Sequence, residues 1–155
     1  MLIIHHGLAD HSDLYAAFVE RATRAGVVVW SYDMRGHGRS AGKRVYFDRI
    51  DALLDDLDVF LARVRSEEHD KPIFLYGHSI GGLTAALFAI ERQPKIAGVV
   101  LAAPAIAFQT PPFAAAAVRF VAAISPNAKV LDTAHPEFSQ DPKVVHELDT
   151  DPLVQ

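Results

Sequence analysis

The 155-residue chain has no cysteine. That excludes disulfides, thiolate catalysis and cysteine-based zinc sites, and it fits a reducing compartment. Positive charge is not in excess either: 15 Lys and Arg against 19 Asp and Glu give a formal net charge of −4. With no basic stripe to follow a phosphate backbone, nucleic acid is not expected as a partner. Long apolar runs are missing too. The longest, such as residues 113–118, fall far short of the roughly 20 residues that span a bilayer. The opening Met1-Leu2-Ile3-Ile4-His5-His6 lacks the basic and apolar regions of a signal peptide, so the cytoplasm is the default location. The chain also shows no internal repeat and no low-complexity linker.

What is present is the balance of a folded domain, with 50% hydrophobic and 22% charged residues. Four short apolar runs read as strands, at 2–5, 27–32, 73–76 and 97–103. Their unbroken apolar character predicts a parallel sheet covered on both faces. Helical patterns separate them. Ser12 or Asp13 can cap a helix that puts Leu14, Phe18 and Ala22 on one face, with Gly26 as its stop. From 48 to 65, Ile50, Leu53, Leu54, Leu57, Phe60, Leu61 and Val64 make one apolar stripe. Asp48 and Asp51 lie near its positive end, and Arg63 and Arg65 near its negative end. A third helix is expected after Ser79, with Leu83, Leu87 and Phe88 inward, ending before Pro94. The alternation predicts an α/β fold with a doubly wound parallel sheet over residues 1–104.

After Pro104 the rhythm stops. Most of the prolines lie here, along with an alanine-rich apolar stretch at 113–124 and an acidic tail. Residues 105–155 therefore read as a cap or lid inserted over the sheet. The apolar stretch can guide acyl chains, or it can simply pack against the sheet edge. Asp55, Asp56 and Asp58 belong to the solvated face of the 48–65 helix, and no metal or cofactor is expected.

The chemistry centres on Gly77-His78-Ser79-Ile80-Gly81. A bare G-x-S-x-G match is common, but here a strand precedes it and a helix follows it. That context puts Ser79 on a sharp bend with its hydroxyl raised above the sheet, next to a helix N-terminus that favours negative charge. His6-Gly7-Leu8 follows the first strand, where enzymes with a serine on this kind of bend place a backbone oxyanion donor. The two donors would be the N–H groups of Leu8 and Ile80. The loop Asp33-Met34-Arg35-Gly36-His37-Gly38-Arg39-Ser40 carries a further histidine. His37 reads as structural, because the base normally follows the nucleophile in chain order.

With these motifs in order, the chain resembles the monoacylglycerol lipase and lysophospholipase branch of the α/β-hydrolases, the group also classed as serine aminopeptidase-like. The resemblance rests on His6-Gly7-Leu8, Asp10-His11-Ser12, Tyr15, residues 33–40 with Gly42, the elbow at 77–82, and Asp151-Pro152-Leu153. Family members usually carry Gly and Glu where Ala9 and Asp10 stand. The resemblance implies a serine esterase that acts on lipophilic esters such as monoacylglycerols or lysophospholipids through an acyl-serine intermediate.

The resemblance also implies that residues 1–155 hold only strands three to six of the usual eight, plus the start of the cap. The catalytic Asp and His are then expected outside this chain. Asp132 with His135 follows Ser79 in the required order, and Asp141, His146 and Asp149 are further local groups, but all read as polar cap residues facing solvent. Peptide or amide cleavage by the same elbow is the adjacent reading. A catalytically dead fragment that serves as a binding module is the reading from a different class. The expected partners are a small lipophilic ester, a membrane or lipid-droplet surface touched by the cap, and either a second copy or a complementary segment that covers the open sheet edges.

Overall fold

The structure, a computed structural model, describes residues 1–107, 124 and 139–154. The expected apolar helix at 113–124, Asp132 and His135 lie outside the described residues, Ile124 excepted. Two compact units divide the chain, one formed by Met1–Ile106 with Pro152–Gln155, the other by Ala107–Asp151.

In the first unit, β1 (Leu2–His5), β2 (Val29–Ser31), β3 (Phe74–His78) and β4 (Gly98–Ala102) form one parallel sheet in the order β2-β1-β3-β4. Ile3 lies beside Trp30 on one side and Leu75 on the other, and His78 lies beside Ala102. The apolar runs mark all four strands, but only β1 keeps its expected bounds. The run at 27–32 contributes only Val29–Ser31 to the sheet, and β3 continues through Gly77 and His78, so it delivers the chain directly to Ser79.

The helices α1 (Ala16–Arg24), α2 (Asp51–Glu67) and α3 (Ile80–Leu87) fill the crossovers. From β1 the chain moves outward to β2, then back across β1 to β3, and outward again to β4. Right-handed crossovers in opposite directions place their helices on opposite faces. The core follows this rule. Leu54, Leu57, Leu61 and Val64 of α2, Ala85 of α3 and Phe88 just after it pack with Ile3, Ile73 and Leu75. Each such large side chain contributes about 1.5–3 kcal/mol.

The opposite face departs from the expected full cover. No residue of α1 is buried, and Phe18 stays exposed, its ring 5.2 Å from Tyr76. Leu14, Phe74 and Val100 are open as well. A single nine-residue helix is too short to cover four strands. The capping expectation also changes: no side chain caps α1, Asp13 pairs with Arg39 at 2.7 Å, and Ser12 N–H donates to Asp33. Gly26 does end the helix, at φ +82, with Gly26 N–H on Thr23 O and Val27 N–H on Ala22 O. That pair of bonds is a Schellman closure.

α2 begins at Asp51, later than expected, and buries Leu53, Leu54, Leu57, Leu61 and Val64 of the predicted stripe, whereas Phe60 is half-buried and Ile50 precedes the helix. Its acidic face is less free than expected. Arg35 grips Asp56 through two bonds of 2.6 and 2.7 Å, and Arg92 meets Asp55 at 2.7 Å. In α3 the predicted inward residues Leu83 and Leu87 are only half-buried, whereas Gly81, Gly82, Thr84 and Ala85 are buried. In the second unit, α4 (Pro142–Thr150) is capped by Asp141, whose carboxylate accepts the Lys143 N–H at 2.9 Å. His146 lies exposed on this helix. Among the described residues, no helix is long and apolar enough to cross a membrane.

Leu54 is fully buried and Val59, on the same helix, is 73% exposed. Leu54→Ala should cost about 2–5 kcal/mol, and Val59→Ala less than about 0.5 kcal/mol. Urea unfolding of the complete gene product checks both, and equal midpoints would contradict this packing.

Candidate active site

The strand order reverses between β1 and β3: the chain leaves β1 toward one edge and β3 toward the other. In open α/β sheets, the crevice beyond the carboxyl ends of two such strands is where ligands bind. Here that crevice is bordered by His6-Gly7-Leu8 after β1 and by Ser79 after β3. The register pairs His5 with Gly77, so the two loops start side by side.

Ser79 has φ 53 and ψ −118, a conformation that serine rarely adopts. Its N–H donates to Ala102 O at 3.0 Å, and its carbonyl accepts from Leu83 and Ala105. The backbone is thus held from both sides while the side chain stays half-exposed. Glycine is required around it on steric grounds. A Cβ on Gly77 would fall 2.4 Å from Gly81 O, and one on Gly81 would fall 2.3 Å from both His5 O and His6 O. Gly82 is similarly pressed against Pro104. These contacts set α3 directly against the end of β1.

The facing loop is fixed through His6. Its Nε2 accepts the Met34 N–H at 2.9 Å, so Nδ1 carries the proton and donates to Gly7 O at 2.8 Å. In a trans peptide the Leu8 N–H points opposite to the Gly7 carbonyl. Holding that oxygen on one side turns the Leu8 N–H to the other. Among the described residues, neither the Leu8 nor the Ile80 N–H has a backbone partner. Gly7 N–H, in contrast, donates to Asp10 at 3.2 Å and is occupied.

Asp10 holds the other side of Gly7. Its Oδ2 also accepts from Tyr15 OH at 3.3 Å and lies 3.4 Å from His78 Nδ1, which is 3.1 Å from Tyr15 OH. Burial works to raise the Asp10 pKa. The hydrogen bond and charge of His78, the charge of His6 and the Gly7 N–H outweigh it and hold the carboxyl below its ordinary value. Burial, reinforced by Asp10, raises the Tyr15 hydroxyl, so it keeps its proton. In the sequence, Asp10 and Tyr15 stood out only as matching positions. Their contact with His78 depends on the β1–β3 pairing, which no local pattern reveals.

Of the predicted site residues, His6, Gly7, Leu8, Gly77, His78, Ser79, Ile80 and Gly81 thus meet at one crevice. His37 serves elsewhere. It is buried, with Nδ1 2.9 Å from Arg35 O and its ring edge-on to His6 at 5.4 Å. Asp33 ties that loop by accepting the Ser12 and Arg39 N–H groups at 2.8 Å. Among the described residues, no imidazole is hydrogen-bonded to the Ser79 hydroxyl.

The whole chain, residues 1–155, matches the family model described as serine aminopeptidase, S33. A monoglyceride lipase homolog of Monkeypox virus is 30% identical over 99% of the chain and 56% of its own length. The monoacylglycerol lipase of Mycolicibacterium smegmatis is 28% identical, again over 99% and 56%. Among solved structures, the monoacylglycerol lipase of Paleococcus ferrophilus superposes with a TM-score of 0.80 and 34% identity, over 99% of this chain and 59% of that one. The chain therefore spans about half the length of the curated relatives it matches.

Burial, together with the neighbouring imidazoles, lowers the His5 pKa to about 3, and burial lowers His6 to about 4 despite its bond to Gly7. An unfolded histidine titrates near 6.5, so below that pH the unfolded chain binds protons that the folded one refuses. The stability from the neutral imidazoles is complete above pH 6.5 and falls as the pH drops toward 4 and 3. At pH 5 the loss is about 2 kcal/mol per histidine. Asp10 and Asp33 add to the loss only as the pH falls below their ordinary 3.8. Urea midpoints at pH 7.5 and 5 read this loss, and a protein equally stable at both would refute it.

Proposed function

Since the chain belongs to the serine aminopeptidase S33 family, we propose that Ser79 is the nucleophile of a serine hydrolase that cleaves lipophilic carboxylic esters such as monoacylglycerols or lysophospholipids. One observation carries the reading: Ser79 sits at φ 53 on the turn between β3 and α3, at the switch point of the sheet. Such strain costs about 1–3 kcal/mol and persists where the surroundings enforce it. The names of the relatives supply the substrate class.

In this mechanism Ser79 Oγ attacks the ester carbonyl and gives its proton to an imidazole. The Leu8 and Ile80 N–H groups hold the oxyanion of the tetrahedral intermediate. The intermediate collapses to an acyl-serine as the imidazole protonates the departing alcohol. Water, deprotonated by the same imidazole, then releases the carboxylate and restores Ser79. The imidazole and its acid partner come from polypeptide outside residues 1–155, consistent with a chain half the length of its relatives. Residues 1–155 in isolation are accordingly an incomplete enzyme. The open edges of β2 and β4 and the exposed Phe74 and Val100 favour association with a second copy or a complementary segment. Contact with a lipid surface would rest on the apolar stretch at 113–124, nearly all of it outside the described residues.

Fluorophosphonate labelling of the complete gene product, followed by peptide mapping, should place the adduct on Ser79. Ser79→Ala should abolish labelling and lower kcat by on the order of 10⁴-fold or more. Labelling that survives the substitution would refute the assignment. Rates on p-nitrophenyl esters should rise with acyl length, each buried methylene adding up to ~0.8 kcal/mol. Faster cleavage of aminoacyl amides would move the protein to the peptidase side of its family.

A further inference from the structure

We infer that Asp10 is a positioning residue for the oxyanion hole: through Tyr15 and His78 it locks the Gly7 backbone to the segment that carries Ser79. The inference rests on the serine hydrolase reading above and extends it to a residue that never touches the substrate.

One carboxylate oxygen gathers three neighbours from three parts of the chain. Asp10 Oδ2 lies 3.2 Å from Gly7 N, 3.3 Å from Tyr15 OH and 3.4 Å from His78 Nδ1. Tyr15 OH in turn lies 3.1 Å from His78 Nδ1. One proton arrangement that satisfies the set has the His78 Nδ1–H donating to the Tyr15 oxygen, and the Tyr15 hydroxyl and Gly7 N–H donating to Asp10. The retained proton on Tyr15 and the ionised Asp10 both agree with it. Each bond is long, so no one of them holds the loop alone. Shared on one anion, they form a bridge from the loop after β1 to the residue before Ser79.

The bridge acts on the oxyanion donor through Gly7. The two peptide groups that flank its Cα are pinned separately, one through N–H on Asp10 and one through C=O on His6. With both fixed, the Leu8 N–H has one direction. A Cβ on Gly7 would fall 2.7 Å from Asp10 Oδ2 and 3.0 Å from His78 Nδ1, so the backbone lies directly against the bridge. A negative charge near a developing oxyanion would ordinarily oppose it. Here the Tyr15 hydroxyl and the Gly7 N–H donate to that charge, with His78 Nδ1 3.4 Å away, and it faces the Gly7 N–H while the Leu8 N–H belongs to the next peptide.

The test compares wild type, Asp10→Asn and Asp10→Glu in the complete gene product. Asn keeps the size but offers one neutral acceptor and an amide that clashes electrostatically with the donors. Glu keeps the carboxylate. Asp10→Asn should lower kcat by about 10²-fold, the scale of a displaced catalytic group, with KM little changed. Fluorophosphonate labelling of Ser79 should slow in parallel, and Asp10→Glu should recover most of both rates. Amide exchange of Gly7 should quicken in Asp10→Asn while the β1 and β3 amides stay protected. A merely structural Asp10 would lower the melting temperature and leave kcat per folded molecule intact, and that result overturns the inference. Unchanged Gly7 exchange overturns it as well, whatever the activity. A wild type that fluorophosphonate does not label at Ser79 instead sinks the hydrolase reading and takes the inference with it.

Discussion

The contact between the first turn of α3 and the carbonyl ends of β1 leaves no room for a side chain. With Gly81 2.3 Å from the His5 and His6 carbonyls at its virtual Cβ, helix and strand touch backbone to backbone. That closeness forces the bend at Ser79, because β3 must turn into α3 within one residue to stay clear of its own sheet. The positive φ of Ser79 follows from this packing. So does the closeness of the start of α3 to the His6-Gly7-Leu8 loop, since Gly81 lies against the His6 carbonyl. A methyl group at Gly81 would displace both halves of the site at once.

The support beneath this contact is polar yet uncharged. His5, His6 and His37 are buried close together and coupled electrostatically. Two adjacent imidazolium ions here would repel each other and lose hydration, so burial keeps them neutral. Neutrality has a structural consequence at His6. A neutral imidazole can accept from Met34 and donate to Gly7 at the same time, whereas an imidazolium could only donate. The orientation of the Gly7–Leu8 peptide therefore depends on a protonation state that the surrounding burial enforces. His5 differs: its Nδ1 shares a 2.9 Å bond with Tyr32 OH, while its buried Nε2 has no hydrogen-bond partner among the described residues.

Much of this was legible in the sequence, for reasons specific to each element. Strands buried in a parallel sheet read as unbroken apolar runs, and α2 announced itself by its stripe from Leu53 to Val64. The glycines at 77 and 81 were legible as a motif, although the reason for Gly81 lies in the His5 and His6 carbonyls, which only the fold brings near. Coverage of the sheet was not legible. Leu14 and Phe18 have the spacing of a buried face, but their burial depends on how many helices share that side. The role of Asp10 was hidden for a related reason: its neighbours Gly7 and Tyr15 are local, but His78 reaches it only across the β1–β3 ladder.

The two faces of the sheet thus divide the work. The face under α2 and α3 holds a closed apolar cluster, and Phe88 and Ala85 anchor α3 within it. The strain at Ser79, about 1–3 kcal/mol, is comparable to the burial of one such side chain. Phe88 alone can offset it, and its anchor lies about two and a half turns beyond the bend. Among the described residues the α1 face carries no such cluster, yet it holds the Asp10 and Tyr15 side of the site. There position comes from hydrogen bonds on a shared carboxylate instead of from packing. The Ile80 N–H on α3 is therefore fixed by steric fit and the Leu8 N–H by electrostatics, so the Leu8 side should be the more sensitive to a change of charge and the Ile80 side to a change of volume.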